Sequence, residues 1–385
     1  MVEIKVINSI EGFKELEPAW TALIGSTEHI FQTWEWNYIW YKHLGKEYDL
    51  NILLFIDGGK IAAIIPLVYS KKGHFPWKRY EFMADFVSNY HDIILSSDAN
   101  INNTILALKD YISENFGKFD YIELRFIPQE SLMIKSLNTS PLNLIGVDHT
   151  PVHMINIDKA FDDYLVKDVP REFRQDIRQQ IRKLLKRGSL DYHQCKEDVE
   201  LQEVLTEFFR LKVESLKKIG HRSSFFEETK FQEFDRELYS SLLKNNWLYL
   251  HVLKFDDKII AINCDIIFNG HVYCHESTYD CNFLKKFSPG HIVRYMEIEN
   301  AFSLRCKDVD WGQGDLSYKR QWSNSKKMTY RFYIFKDKPF IRQYYLNKLR
   351  PSLRAAYVYY TEQILPKIRK ASSRVFITGS KTPAP

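Results

Sequence analysis

The sequence is short of the features that mark specialised protein classes. It has five cysteines in 385 residues, at 195, 264, 274, 281 and 306. An odd, scattered set suits a reducing, cytoplasmic setting better than a disulfide framework. No apolar run reaches the roughly 18 residues that a membrane span needs. The opening, MVEIKVINSIEGF, lacks the charged-then-apolar layout of a secretory leader. Charge of one sign is also missing from most of the chain. The net charge is +5, but residues 341–385 hold nine Lys/Arg against one acid, Glu362, a local excess of +8. The other 340 residues therefore sum to −3, which argues against a DNA-binding body.

What is present suits large cores: hydrophobic residues make up 45% and aromatics 15%. The length predicts two domains, and one pattern occurs twice. In the second half, WLYLHVLKF (247–255) and KIIAINCDIIF (258–268) read as strands. Asn269-Gly270 then predicts a hairpin into HVYCHESTYD (271–280), because both residues tolerate positive φ. FSPGHIVRYMEIENAF (287–302) turns and becomes a helix, and KDVDWGQGD (307–315) closes the unit with a strand. In the first half, strands at 50–56, 60–70 and 89–97, a helix at 102–117 and a strand at 119–127 repeat the order. GGKIAAI (58–64) aligns with DDKIIAI (256–262) at an offset of 198. A helix precedes each unit, at 34–45 and 207–220. Such a period means two related domains rather than a solenoid. We expect domains at 1–160 and 161–340 and a helical tail at 341–385.

Between the halves, VPREFRQDIRQQIRKLLKRG (169–188) predicts an amphipathic helix. Arg174, Arg178 and Arg182 share a face. They read either as a solvated surface or as a cleft-facing set that holds an anionic group of the substrate.

The strand–strand–strand–helix–strand order resembles the acyl-CoA-binding core of the GNAT superfamily. The closer resemblance is to tandem-GNAT proteins of the CelD-like type, associated with cellulose and exopolysaccharide synthesis and related to FemAB-type transferases. It rests on FQTWEWNYIWYKHLG (31–45), the Arg-rich helix ending KLLKRG (183–188), YDCNFLKKFSPGHIVRYMEIENA (279–301) and VDWGQGDLSYKRQW (309–322). The resemblance implies an α/β (α+β) fold of two GNAT-like domains, each a mixed, mostly antiparallel sheet flanked by helices. It also implies acetyl-CoA or another acyl-CoA as co-substrate and a small-molecule or glycan-precursor amine as acceptor. The pyrophosphate would sit at the helix start on Lys285, Lys286, Ser288, Pro289, Gly290 and His291, where unpaired N–H groups and the helix dipole favour an anion. The superfamily's Gln/Arg-x-x-Gly-x-Gly/Ala fingerprint is absent here. The first unit has no Ser-Pro-Gly counterpart, which implies a partner domain that binds no coenzyme A.

Amide formation from a thioester needs a base, oxyanion stabilisation and a proton for the leaving thiolate. Glu276, Asp280, Asp315, Tyr318 and Lys319 are the candidates. Each has a plainer reading: a surface carboxylate for Glu276, a turn cap for Asp280, a helix N-cap for Asp315, and packing with a surface charge for Tyr318 and Lys319. His91 and Asp92, beside Asp85, are candidates for an acceptor-binding edge. Trp34, Trp36 and Trp40 read as core rather than as a sugar platform. His271, Cys274, His275 and Cys281 lack metal-ligand spacing, so no metal is expected. The aromatic, basic segment 340–376 reads as an amphipathic attachment to the body or to an anionic membrane surface, the inner face for a cytoplasmic protein. An aminoacyl-tRNA-dependent transferase acting on a peptidoglycan precursor and a non-catalytic synthase accessory protein are the alternatives. The chain lacks the helical arm common in the former.

Overall fold

The computed structural model describes residues 2–335, apart from 26, 28, 71–77, 116–118, 140–142, 222–223 and 285. Lys285 and the 341–376 tail, with its expected surface contact, lie outside the described residues.

The chain opens with β1 (Glu3–Ile7), α1 (Ile10–Glu15), α2 (Glu17–Ile24) and the aromatic α3 (Trp34–Leu44). Strands β2 (Tyr48–Asp57), β3 (Lys60–Ser70), β4 (Arg79–Phe82) and β5 (Ile94–Leu95) lead to α4 (Ile101–Glu114), β6 (Tyr121–Pro128), α5 (Leu132–Thr139) and β7 (Asn143–Asn156). Next come α6 (Phe161–Lys167), α7 (Arg171–Leu185), β8 (Leu190–Cys195), α8 (Asp198–Lys218), α9 (Ser224–Glu227) and α10 (Thr229–Lys244). The second unit is β9 (Leu248–Phe255), β10 (Lys258–Phe268), β11 (His271–Tyr279), α11 (Pro289–Ser303) and β12 (Asp308–Gln313). Finally α12 (Ser317–Trp322) precedes β13 (Ser325–Phe335). Among the described residues, no helix is long and apolar enough to cross a membrane.

All the strands join one sheet, in the order β1-β2-β3-β4-β6-β13-β7-β12-β11-β10-β9-β8, with β5 on β3. The pairs β4–β6 and β11–β12 are parallel. The meanders around them are antiparallel. The expected boundary at 160 falls just after β7, yet β7 pairs with β12 and β13 lies between β6 and β7. The sheet therefore runs continuously from the first half into the second.

The two-residue turns behave as their residues dictate. Asn269 and Gly270 adopt φ of 49° and 85°, and Phe268 faces His271 across the turn. Gly58-Gly59 and Asp256-Asp257 make the matching turns at positive φ, the conformations that hairpins with right-handed twist require. One strand differs from expectation. The segment at 89–97 contributes only Ile94–Leu95, and the third strand of the first unit is instead the four-residue RYEF at 79–82. A left-handed Ala84 and the 3₁₀ turn at Asp85–Val87 break extended backbone between them. Trp36 and Trp40 are fully buried and Trp34 nearly so, stacked on Tyr38. They belong to the large core between α3, α8, α10 and the sheet.

Candidate functional site

The parallel pair β11–β12 matches for only three residues: His271 with Asp308, Val272 with Val309, and Tyr273 with Asp310. Beyond that the strands part. β11 continues along β10, while β12 turns onto β7 through an irregularity between Asp310 and Gln313. Gly312 makes this turn at φ +66°, with its N–H donated to the Asp310 carboxylate at 2.7 Å. A side chain could not replace its hydrogen without meeting Asn89 of the first half at 2.8 Å.

Two adjoining cavities lie here, the smaller one in the opening itself. One, about 700 Å³, runs under the start of α11 past Thr278, Asp280, Phe287, Gly290 and His291. The other, about 220 Å³, is almost wholly polar and includes Asn89, Lys212, His275, Glu276 and Lys319. Ser277, Arg294 and Tyr318 line both.

A bulge in β11 decides which groups enter the polar pocket. Cys264 faces Glu276 and Asp265 faces Cys274, so His275 has no partner of its own on β10. Bulges re-aim side chains in this way. Cys274 lies 3.9 Å from the Glu297 carboxylate of α11. The His275 ring packs against Trp36 and Tyr239. The Glu276 carboxylate accepts from Lys212 of α8 at 2.7 Å, and Lys212 also donates to the Ser277 carbonyl at 2.9 Å. Tyr318 sits at the junction of the cavities, its ring edge-on to Trp311. Its hydroxyl has no hydrogen-bond partner among the described residues. Burial pushes its phenol above the usual 10, so it stays protonated at neutral pH.

Arg294 underlies the junction. It is buried, bonded to Glu297, 3.6 Å from Asp265 and 4.9 Å from the Trp311 ring centroid. Asn263 donates to Glu297. Burial, then mutual repulsion, pushes Asp265 well above the usual carboxylate range, and burial also raises Glu297. Asp265, Cys274 and Glu297 bring possible ligand atoms together, but the guanidinium supplies the positive charge there that a metal would otherwise bring.

The start of α11 has fewer open donors than the sequence suggested. Pro289 has no N–H. Ser288 donates its N–H to Gln180 at 2.7 Å, and His291 donates to the Ser288 carbonyl at 2.9 Å. Gly290 has no acceptor for its N–H among the described residues. Thr278 adds to the cavity wall a buried hydroxyl that has no partner among the described residues. Lys286 is exposed and does not line the slot. Burial lowers the pKa of His291.

The other expected groups are placed differently. Asp280 caps the turn: it accepts from the Asn282 N–H at 2.8 Å and from Lys258 at 2.5 Å. Burial works against its charge, but these bonds hold its pKa below the ordinary value. Lys319 is buried and donates to the Gln313 carbonyl at 2.6 Å and the Gly312 carbonyl at 3.3 Å, which holds the β12 turn open. Burial lowers its pKa. Asp315 is half exposed, held by Arg320 at 2.8 Å and His153 at 2.6 Å, and lines neither cavity. The arginines of α7 do not face this opening. Arg174 donates to the carbonyls of Leu165, Val166 and Val169 and so ends α6. Arg178 reaches Asp162 at 3.6 Å and bonds Tyr295. Arg182 donates to the Arg178 carbonyl at 3.3 Å. The reason is that α7 packs its apolar stripe, Ile177 and Leu184, inward and leaves these cations on the outer side.

His91 and Asp92 are separated from the polar pocket. His91 is buried and stacked on Phe82, and burial pushes its pKa down to about 3. Asp92 lines a third cavity, about 420 Å³, shared with His29, Tyr90, His271, Asp308 and Asp310. No sequence pattern pointed to Lys212 or Asn89, because a helix and a loop distant in sequence bring them in. Arg294 had one: an Arg–Glu pair at i, i+3 within a helix whose neighbours are apolar.

Residues 171–320 match the family described as Acetyltransferase (GNAT) domain. No curated protein matches the sequence. Among solved structures, the chain is similar to FemX at 13% identity and a TM-score of 0.59, covering 89% of this chain and 99% of that one. It is similar to the C-terminal domain (DUF2156) of a putative lysylphosphatidylglycerol synthetase from Agrobacterium fabrum at 10% identity and a TM-score of 0.54, covering 90% and 97%. It is also similar to L-PGS from Bacillus licheniformis at 13% and 0.52, covering 83% and 92%. At these identities the likeness is one of fold. The fold is GNAT-like, a mixed and mostly antiparallel sheet flanked by helices.

Proposed function

We propose that this protein is an N-acyltransferase that moves an acyl group from an acyl-CoA thioester to an amine on a polar acceptor. The acceptor class is an amino sugar or similar amine of cell-envelope or exopolysaccharide synthesis. One observation carries the reading. A larger cavity under the start of α11 and the polar pocket between β11 and β12 share Ser277, Arg294 and Tyr318 as lining, with Tyr318 at their junction. The thioester carbonyl would lie at that junction and the acceptor amine in the polar pocket. The amine nitrogen attacks the carbonyl carbon, and Glu276 takes the proton that the nitrogen gives up. The new C–N bond stays, the C–S bond breaks, and the thiolate takes a proton from Tyr318. Proton exchange with solvent resets Glu276 and Tyr318. The products are an amide and free coenzyme A.

The test is calorimetric titration of coenzyme A, followed by thiol release from acetyl-CoA with glucosamine as the probe amine. We expect binding below millimolar ligand. Tyr318→Phe should lower kcat by about 10²-fold, in the range for a lost general acid, with KM for acetyl-CoA little changed. Absence of binding at millimolar coenzyme A ends this reading.

A second reading has one observation in its favour. Among the described residues, the first turn of α11 leaves only Gly290's N–H open, fewer donors than a pyrophosphate normally finds at a helix start. A donor that carries its acyl group as an aminoacyl ester of tRNA would need no such cradle. A non-hydrolysable aminoacyl-adenosine would then bind where coenzyme A does not.

A further inference from the structure

The bulge that aims Glu276 is itself held by one side chain. Lys212, on the fourth turn of α8, places its ammonium 2.7 Å from the Glu276 carboxylate and 2.9 Å from the Ser277 carbonyl. A single cation thus ties the side chain of one residue and the main chain of the next. Two rings fix its approach: the ammonium lies 4.9 Å from the centroid of Phe226 and 5.9 Å from that of Phe208. Cation–π contact of this kind limits where a flexible lysine head can rest. Behind the pair is Asp235 of α10, which is 2% exposed and has a carboxylate oxygen without a hydrogen-bond partner among the described residues.

We propose that Lys212 is a positioning residue: it locks the β11 bulge and fixes the direction of the Glu276 carboxylate toward the polar pocket, with Asp235 buried behind the pair. This rests on the acyltransferase reading for the role of Glu276, but the geometry of the pair does not. A bulge is a local irregularity in a ladder, and it keeps one side-chain direction only if something over-determines it. The ladder on the β10 side skips His275, so the constraint has to come from the α8 side. Burial, then the charge of Glu276, pushes Asp235 well above the usual carboxylate range. It therefore does not compete with Glu276 for the ammonium. The groups around Glu276 are Lys212 of α8, Asp235 and Tyr239 of α10, Cys264 of β10, His275 of β11 and Tyr318 of α12. Burial pushes Tyr239, Cys264 and Tyr318 up and His275 down. All four are then uncharged near neutral pH, which leaves Lys212 as the cation that Glu276 meets.

The experiment is a double-mutant cycle on the full chain: Lys212→Met, Glu276→Gln and both together, with Lys212→Arg as the conservative variant. The assay is acetyl transfer from acetyl-CoA to glucosamine. We expect Lys212→Met to lower kcat by about tenfold to hundredfold with KM for acetyl-CoA changed less than about threefold. The double variant should be no slower than Glu276→Gln, because Lys212 acts through Glu276. Lys212→Arg should recover part of the loss. Multiplicative losses in the double variant overturn the proposal, as does full activity in Lys212→Met. Lys212→Gln is made alongside, and activity lost only in step with folded protein in both variants also overturns it. A second readout needs no turnover: hydrogen–deuterium exchange along β11 in the ligand-free protein. Removing the ammonium should speed exchange at the bulge around residues 275–277 in Lys212→Met, and unchanged exchange there counts against the proposal. If the wild type transfers nothing from acetyl-CoA, the acyltransferase reading fails, and the hold of Lys212 on the bulge is then decided by the exchange.

Discussion

Neighbouring residues can sit in opposite electrostatic circumstances, and Asp92 shows the consequence. Burial raises its pKa from 3.8 to about 7, although Ser131 and the Ile93 N–H both donate to it. In the unfolded chain the same carboxyl ionises near 3.8. As pH rises from about 4 to 7, the unfolded state gives up its proton while the folded state keeps it. The folded state then binds more protons, so its stability falls with rising pH across that window. Asp92→Asn keeps an acceptor for Ser131 and Ile93 but cannot ionise. We expect it to match the wild type near pH 4 and to be more stable at pH 8, by on the order of 2–4 kcal/mol. Denaturant unfolding at the two pH values checks this. A gap of the same size at both would show that the Asp92 carboxyl carries no such penalty. His91, one residue away, is held neutral by burial and contributes the opposite dependence, losing stability as pH falls below 6.5.

At the scale of single elements, the helix α7 separates what a sequence pattern shows from what it hides. Its arginines at spacings of four are visible in the sequence, and the helix forms where the pattern places it. Which neighbour those arginines meet depends on packing, and Arg174 meets the carbonyl end of α6. Helix ends leave carbonyls without partners, so this guanidinium stands in for a C-cap. We expect Arg174→Ala to cost about 1.5–3 kcal/mol of stability, in the range for hydrogen bonds to a charged group, with KM unchanged. A raised KM with unchanged stability would instead return Arg174 to the substrate. The hairpins were legible because Asn-Gly, Gly-Gly and Asp-Asp supply positive φ locally. The strand β4 was not, because four residues with a buried Glu81 carry no apolar run. The bulge at His275 was hidden for a related reason. Alternation along β11 reads the same whether or not the partner strand skips a residue, so the direction of Glu276 could only come from the ladder.

At the scale of the whole molecule, the polar pocket is completed across the two halves, and Gly312 lies against Asn89 of the first half. Its φ of +66° lies where L side chains rarely go. A Cβ there would also meet Asn89 Nδ2 at 2.8 Å and Cγ at 3.1 Å. Gln313 extends the same contact by donating its side chain to the Asn89 carbonyl at 2.6 Å. Gly312→Ala therefore carries two costs that can be separated. The backbone cost, about 1 kcal/mol, stays whatever surrounds it. The steric cost falls on the far end of the Asn89 side chain, which can be removed. We expect Gly312→Ala to lose about 2–3 kcal/mol of stability and most of any transfer activity, since the clash would push the first half away from the pocket. Adding Asn89→Ala should recover the steric part of the stability and leave the backbone part. Urea unfolding of the four proteins in the cycle measures both. Strictly additive losses would mean that Asn89 does not press on Gly312, and that the first half closes the pocket through other groups.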